Sequence, residues 1–218
     1  MRDVFHDQLD SLFDDLATMA GLARVSVAEA TKALLTGDVA VAEQVISDDA
    51  TLDRLREGIE EQAFSLLSLQ APVAGDLRIV VAALRMVAEL ERMGDLSVHV
   101  AKIARLRVPD LAVPGPVRPL LERMAKVAET MTAQVQRIIA ERDVSSAADL
   151  ALIDDEMDQL RRATFSAMLN DDWPHGVEAA VDLALLGRYY ERIADHAVSV
   201  ANRVVFVVTG EHPVAVPR

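Results

Sequence analysis

The stretch Pro109-Asp110-Leu111-Ala112-Val113-Pro114-Gly115-Pro116 divides the chain. Three prolines and a glycine within eight residues cannot continue a helix, because proline lacks the amide donor and its ring collides with the preceding turn. On both sides of it, apolar residues recur at helical spacing, as in Leu9, Leu12, Phe13, Leu16 and Met19, and no strand-like alternation is sustained. Upstream, Thr36-Gly37-Asp38 closes one long helix and opens the next, Gly37 suiting a left-handed cap and Asp38 an N-cap. The second helix runs from near Val39 to a break at Pro72 to Asp76, and a third follows over about 76–108. Downstream, helices are expected over about 117–142, 144–169 and 174–208, each spanning roughly 36 to 52 Å at 1.5 Å per residue. The pattern predicts three long helices, a linker and three more.

The two sides repeat each other. A shift of 105 positions superposes Met19-Ala20 on Met124-Ala125, Asp38-Val39 on Asp143-Val144, Asp49 on Asp154, Asp53 on Asp158, and Leu55-Arg56 on Leu160-Arg161. In the last helix of each half the shift is 100, which places Glu91-Arg92 on Glu191-Arg192, Asp95 on Asp195, and Val100-Ala101 on Val200-Ala201. The five-residue difference falls in the preceding loop. The fold class expected is all-α: two tandem, internally duplicated three-helix bundles, residues 1–112 and 113–218, built from six long antiparallel helices.

Composition agrees with this and excludes several function classes. The chain has 218 residues, of which 51% are hydrophobic but only 4% aromatic, so Ala, Val, Leu, Ile and Met must fill the helical interfaces. It has no cysteine, which excludes disulfides, thiolate zinc sites, iron-sulfur clusters and cysteine nucleophiles, and points to the reducing cytosol. A formal charge of −13 and a pI near 4.7 oppose nucleic-acid binding, which rests on Lys and Arg replacing counterions. Residues 1–7 lack a basic segment leading into an apolar run, and no later stretch reaches 18 uninterrupted apolar residues. A soluble cytoplasmic chain without membrane insertion is expected.

Four acidic pairs sit at i, i+4 spacing in matched positions of the repeat: Asp49 with Asp53, Glu91 with Asp95, Asp154 with Asp158, and Glu191 with Asp195. Like charges so spaced lie on one helix face and destabilise it by roughly 0.2–0.5 kcal/mol per pair, a penalty that a bound cation reverses. If two helices of one unit face each other with one pair apiece, four carboxylates converge as oxygen ligands for Mg, Mn, Fe or Zn. Asp49, Asp53, Glu91 and Asp95 then form one metal site, and Asp154, Asp158, Glu191 and Asp195 the other. Two plainer readings stand beside this one: solvated helix faces in a chain with 35 acidic residues, and neutralisation of the pairs by Arg92 and Arg192 along their own helices. In the last helix Arg188, Glu191, Asp195, Ser199 and Asn202 form a polar stripe that is either functional or simply its wet side.

His196 directly follows Asp195 and His99 lies one turn past Asp95, so each is either a peripheral ligand or a hydrogen-bonded surface residue. His6 and His212 near the termini, and His175 in a loop, are expected in solvent. Met86, Met93, Met124 and Met131 read as core filler, and Tyr189 and Tyr190 as packing between helices.

At these residues the chain resembles the PhoU family of phosphate-signalling proteins over essentially its whole length. The first half carries Pro72-Val73-Ala74-Gly75-Asp76-Leu77-Arg78 leading into Glu89-Leu90-Glu91-Arg92-Met93-Gly94-Asp95, similar to the family's Asp-Leu-Arg and Leu-Glu-Arg-Ile-Gly-Asp strings. The second half carries Arg188-Tyr189-Tyr190-Glu191-Arg192-Ile193-Ala194-Asp195-His196-Ala197, and the tail from Val204 to Glu211 is also similar. Nineteen arginines against three lysines, with abundant Ala and Val, suggest a GC-rich, actinobacterial source. The resemblance implies a cytoplasmic regulator whose eight matching carboxylates bind divalent or trivalent metal ions in multinuclear clusters. It also implies a homodimer that couples a phosphate-specific ABC transporter ATPase to a sensor histidine kinase, holding the phosphate-starvation response off when phosphate is plentiful. Leu96 departs from the family pattern, which has histidine after the aspartate, and Ser97 replaces a small apolar residue; if that histidine helps the metal, the first site is the weaker.

The chain contains no Gly-x-x-x-x-Gly-Lys loop, Gly-x-Gly-x-x-Gly, His-Glu-x-x-His or Gly-x-Ser-x-Gly, so a regulatory adaptor rather than an enzyme is expected. A carboxylate-bridged di-iron or di-manganese enzyme is the competing reading, but neither Glu91 nor Glu191 has histidine three residues on. A metal-free helical dimerisation module is the third.

Overall fold

The computed structural model describes residues 2–170 and 172–211. It consists of α1 (Arg2–Thr36), α2 (Val39–Gln70), α3 (Gly75–Arg107), α4 (Arg118–Glu141), α5 (Val144–Met168) and α6 (Gly176–Thr209), with one 3-10 turn at Gly115–Val117 between the halves. That turn is a small departure from the non-helical linker read from the prolines. Pro116 falls in the first turn, where its missing N–H has no partner to lose and its fixed φ is already helical. α6 begins at Gly176 rather than Pro174, because Trp173 ties the preceding loop together: its amide donates to the Asn170 carbonyl and its indole N–H to that of Gly176 at 2.8 Å.

The duplication is visible in backbone geometry. Asp38 (φ −80, ψ 100) and Asp143 (φ −80, ψ 99) cap α2 and α5 in the same conformation, Asp38 accepting from the Val41 amide and Asp143 from those of Ser145 and Ser146. The residue before each cap is left-handed: Gly37 (φ 67) in the first half, and in the second Arg142 (φ 51), for which that region is strained. Arg142 is held there by its guanidinium, 4.7 Å over the Phe13 ring and paired with Asp10. Asp38→Ala removes an acceptor from the first turn of α2 and is expected to cost about 1 kcal/mol, a fall in melting temperature of roughly 2–4 °C for a chain of this size, measurable by calorimetry.

α1, α2 and α3 pack on one another, as do α4, α5 and α6 to a lesser extent, and the units meet through α1 on α4 and α3 on α6. α3 and α6 run antiparallel: Arg107 at the end of α3 pairs with Glu178 and Asp182 at the start of α6, while Arg78 at the start of α3 lies 5.7 Å from the Phe206 ring near the end of α6. The buried apolar residues of both halves form one continuous cluster, with Met86, Met93, Met124 and Met131 all essentially inaccessible. Tyr190 of α6 is fully buried in it, its hydroxyl 2.9 Å from that of Thr31 in α1. Burial pushes that phenol well above its usual pKa, so it stays protonated and free to share a hydrogen bond. Among the described residues no helix is long and apolar enough to cross a membrane.

Candidate functional site

In the first half, the acidic pairs of α2 and α3 are brought together at Gly94. A Cβ there would lie 3.1 Å from Leu52 Cδ1 and 3.5 Å from Asp49 Oδ1, so its absence lets α2 settle closely on α3 and carries the Asp49 carboxylate over the α3 backbone. Asp49, Asp53, Glu91 and Asp95 are all half-buried. Burial raises the pKa of Asp49, and the charges of Asp95 and Asp53 raise it further, with Lys102 and His99 pulling the other way. Glu91 is raised by burial and by Asp95, while Arg92 and Arg56 pull it back and Asp53 adds to the rise. Arg92 also pairs along its helix with Asp95 at 3.2 Å and Glu91 at 3.6 Å, so the intrahelical neutralisation anticipated for it is present. Among the described residues no three Asp, Glu or His side chains stand close enough to hold one ion; the four carboxylates share a face and an electrostatic field.

The second half differs in its counterions. Glu191 is 5% exposed and pairs with Arg188 one turn earlier and with Arg161 of α5 at 3.6 Å. The arginines beside Glu191 are thus Arg188 and Arg161, while Arg192 is exposed. Asp154 is buried, and Asp158 and Asp195 are half-buried. The stripe on α6 is thus not simply its wet side, since Glu191 within it is buried.

His196 Nδ1 lies 2.6 Å from Glu89 of α3, joining the two halves, and its Nε2 is buried without a hydrogen-bond partner. Leu96, which stands at the matched position of the first half, is buried among apolar residues. His99 is exposed and stacks on Tyr189, ring centroids 5.3 Å apart. His6 is exposed, but His175 is half-buried edge-on to Trp173 at 4.8 Å, because the turn before α6 folds the indole back; His212 lies outside the described residues. Sequence reasoning did not find Glu89 or Thr31. Neither belongs to an i, i+4 acidic pair, Glu89 stood out only as the start of a family-like string, and their partners are more than 100 positions away.

Six long helices with acidic pairs at matched positions make this a duplicated all-α protein with an acidic face on each half. The family model described as PhoU domain matches the chain at residues 16–104 and again at 121–204, and the chain belongs to the PhoU family. It is 48% identical over 213 residues, covering 98% of this chain and 100% of the relative, to the phosphate-specific transport system accessory protein PhoU homolog 2 of Mycobacterium tuberculosis. It is 47% identical to PhoU homolog 1 of Mycobacterium leprae, covering 98% and 96% of the two chains. The crystal structure of the phosphate transport system regulatory protein PhoU from Streptococcus pneumoniae superposes with a TM-score of 0.85 at 25% identity, over 96% of this chain and 99% of that one. PhoU from Pseudomonas aeruginosa gives 0.83 at 26% identity, over 95% and 100%. The relatives that match 96% or more of this chain are named as accessory and regulatory proteins of phosphate transport and not as enzymes, which speaks against the carboxylate-bridged di-metal enzyme.

Proposed function

We propose that the protein is a cytoplasmic negative regulator of the phosphate-starvation response, coupling a phosphate-specific ABC transporter to a sensor histidine kinase and modulating phosphate uptake. The observation that carries this is its likeness, at nearly half identity over 98% of its length, to a phosphate-specific transport system accessory protein. The transporter ATPase and the kinase are the partners, and the working form is a homodimer. Long helices with an acidic exterior supply binding surface without chemistry, so contacts to basic partner surfaces form faster at low salt.

In the same reading, Asp49, Asp53, Glu91 and Asp95, and Asp154, Asp158, Glu191 and Asp195, hold divalent or trivalent metal ions. The ligand type supports this: all eight are carboxylates, as hard cations prefer, and in the first cluster Asp49 and Glu91 are raised partly by their acidic neighbours. A bound ion would supply the positive charge that offsets this repulsion. Arginines already give part of that charge in both clusters, Arg161 and Arg188 to Glu191 and Arg92 to Glu91 and Asp95.

Deleting the gene in its host is expected to switch on phosphatase and transporter genes while phosphate is abundant, read as transcript levels in high-phosphate medium. Normal repression in the deletion strain, with no paralogue compensating, overturns the regulatory reading while leaving the fold untouched.

A further inference from the structure

An apolar trough of about 520 Å³ runs along the seam between α1 and α2. Val45 and Leu52 of α2, each 4% exposed, form its floor, and Leu22, Val25 and Val41 its walls, with Val25 left 52% exposed. Glu29, Asp48 and Asp49 stand around it. Its α2 lining extends from residue 40 to 52, about 18 Å at 1.5 Å per residue, the length of roughly three helical turns.

The duplication shows that the fold does not require this apolar surface. Under the 105-residue shift Val25 becomes Thr130, Ala40 and Val41 become Ser145 and Ser146, and Leu22 and Val45 remain apolar as Val127 and Leu150. In the second half the serine hydroxyls donate to Asp143, and Arg137 of α4 reaches Ser146 of α5 at 3.1 Å, so polar side chains stand where the first half has its apolar wall. The exposed apolar wall belongs to the first half alone.

We propose that this trough docks an amphipathic helix of a partner protein, with an apolar face that enters the seam and Lys or Arg residues alongside that meet Glu29, Asp48 and Asp49. A three-turn apolar groove between two helices matches the helix-in-groove mode, with anchors at i, i+3, i+4 and i+7. The acidic surround selects basic flanks, and a second copy meeting this face with its own would set Glu29, Asp48 and Asp49 against the same carboxylates, so the seam is not where two copies pair. Asp49 lines the trough and also belongs to the first carboxylate cluster, so the docked helix lies beside that cluster. The proposal names the chemistry of a partner and rests on the regulatory reading only in expecting a protein partner.

The test uses the full chain and a labelled helical peptide of about 14 residues with leucine at i, i+3, i+4 and i+7 and lysine at the flanks, followed by fluorescence anisotropy. The comparison peptide has the same composition in permuted order. The intact protein is expected to bind the designed peptide at least roughly tenfold more tightly than the permuted one. Val25→Lys combined with Val41→Lys is expected to abolish that preference, while Thr130→Lys at the matched second-half position leaves it intact. Val25→Lys alone, at a position already half in solvent, decides the matter if circular dichroism shows the double variant misfolded. Equal binding of the two peptides means attraction to a generally acidic surface and overturns the proposal, as does unchanged binding by the folded trough variants. A dimer that the Val25 and Val41 changes dissociate, in a protein indifferent to the peptide, makes the seam a self-interface and also overturns it. In the host, a trough variant that fully restores repression to a derepressed deletion strain refutes the docking role while the regulatory reading stands. A deletion strain that remains repressed refutes the regulatory reading, and the peptide measurement then decides the trough by itself.

Discussion

Tyr190→Ala is expected to lower the unfolding free energy by about 3–5 kcal/mol, the range for emptying an aromatic site in a close-packed core, and the melting temperature by roughly 6–20 °C. The ring is about 1% exposed and reaches from α6 of the second half to Thr31 in α1 of the first, so the cavity would open where the two halves share their core. Two milder variants separate packing from hydrogen bonding. Tyr190→Phe keeps the ring but strands the buried Thr31 hydroxyl, at a cost of about 1–3 kcal/mol. Adding Thr31→Val to it removes both partners and is expected to recover much of that loss. Urea denaturation of the three variants checks this. A loss below about 1.5 kcal/mol for Tyr190→Ala would mean that the halves are stable independently and that residues 1–112 fold without their partner.

Divalent metal is expected to stabilise the protein by about 2.7 kcal/mol at a free concentration a hundred times its Kd. The effect should disappear on adding chelator and on acidification. The sign follows from the carboxylates. Asp49 and Glu91 have folded-state pKa values raised above their ordinary ones, so without metal their ionisation opposes folding at neutral pH, and that penalty is relieved as pH falls through the raised values. Metal binding requires the ionised forms, so its stabilisation is lost over the same descent. Asp49→Asn should therefore act in opposite directions: neutral to slightly stabilising without metal, by up to about 0.5 kcal/mol as a like-charge contact is relieved, and destabilising relative to the parent with metal present. Glu191→Gln with Asp195→Asn should lower metal stoichiometry through the second cluster. Melting curves with and without chelator, together with elemental analysis, provide both readouts. Unchanged stoichiometry in every carboxylate variant would refute the metal assignment.

The helices were legible in the sequence because their signals are local. A cap is set by a side chain two or three residues from the amide it accepts, which is why Asp38 and Asp143 marked the starts of α2 and α5 to the residue. Prolines halted α3 where expected and misled only slightly at Pro116 and Pro174, where proline is tolerated in a first turn or a short turn precedes the helix. The candidate carboxylates were legible for the same reason: i, i+4 spacing places two side chains on one face whatever the helix packs against.

What the sequence determined by itself was the set of helices, their duplication and the acidic faces, all consequences of backbone periodicity and near neighbours. The tertiary structure decided which residues meet across those helices. Arg161 meets Glu191 because α5 is rotated to bring it there, Glu89 meets His196 because α3 and α6 run antiparallel, and Tyr190 finds Thr31 through a core that the halves share. It also decided that Val25 stays exposed along one seam while at the matched seam Arg137 meets Ser146. Helix rotation and crossing are set by the summed packing of many side chains distant in sequence, and no local spacing encodes them.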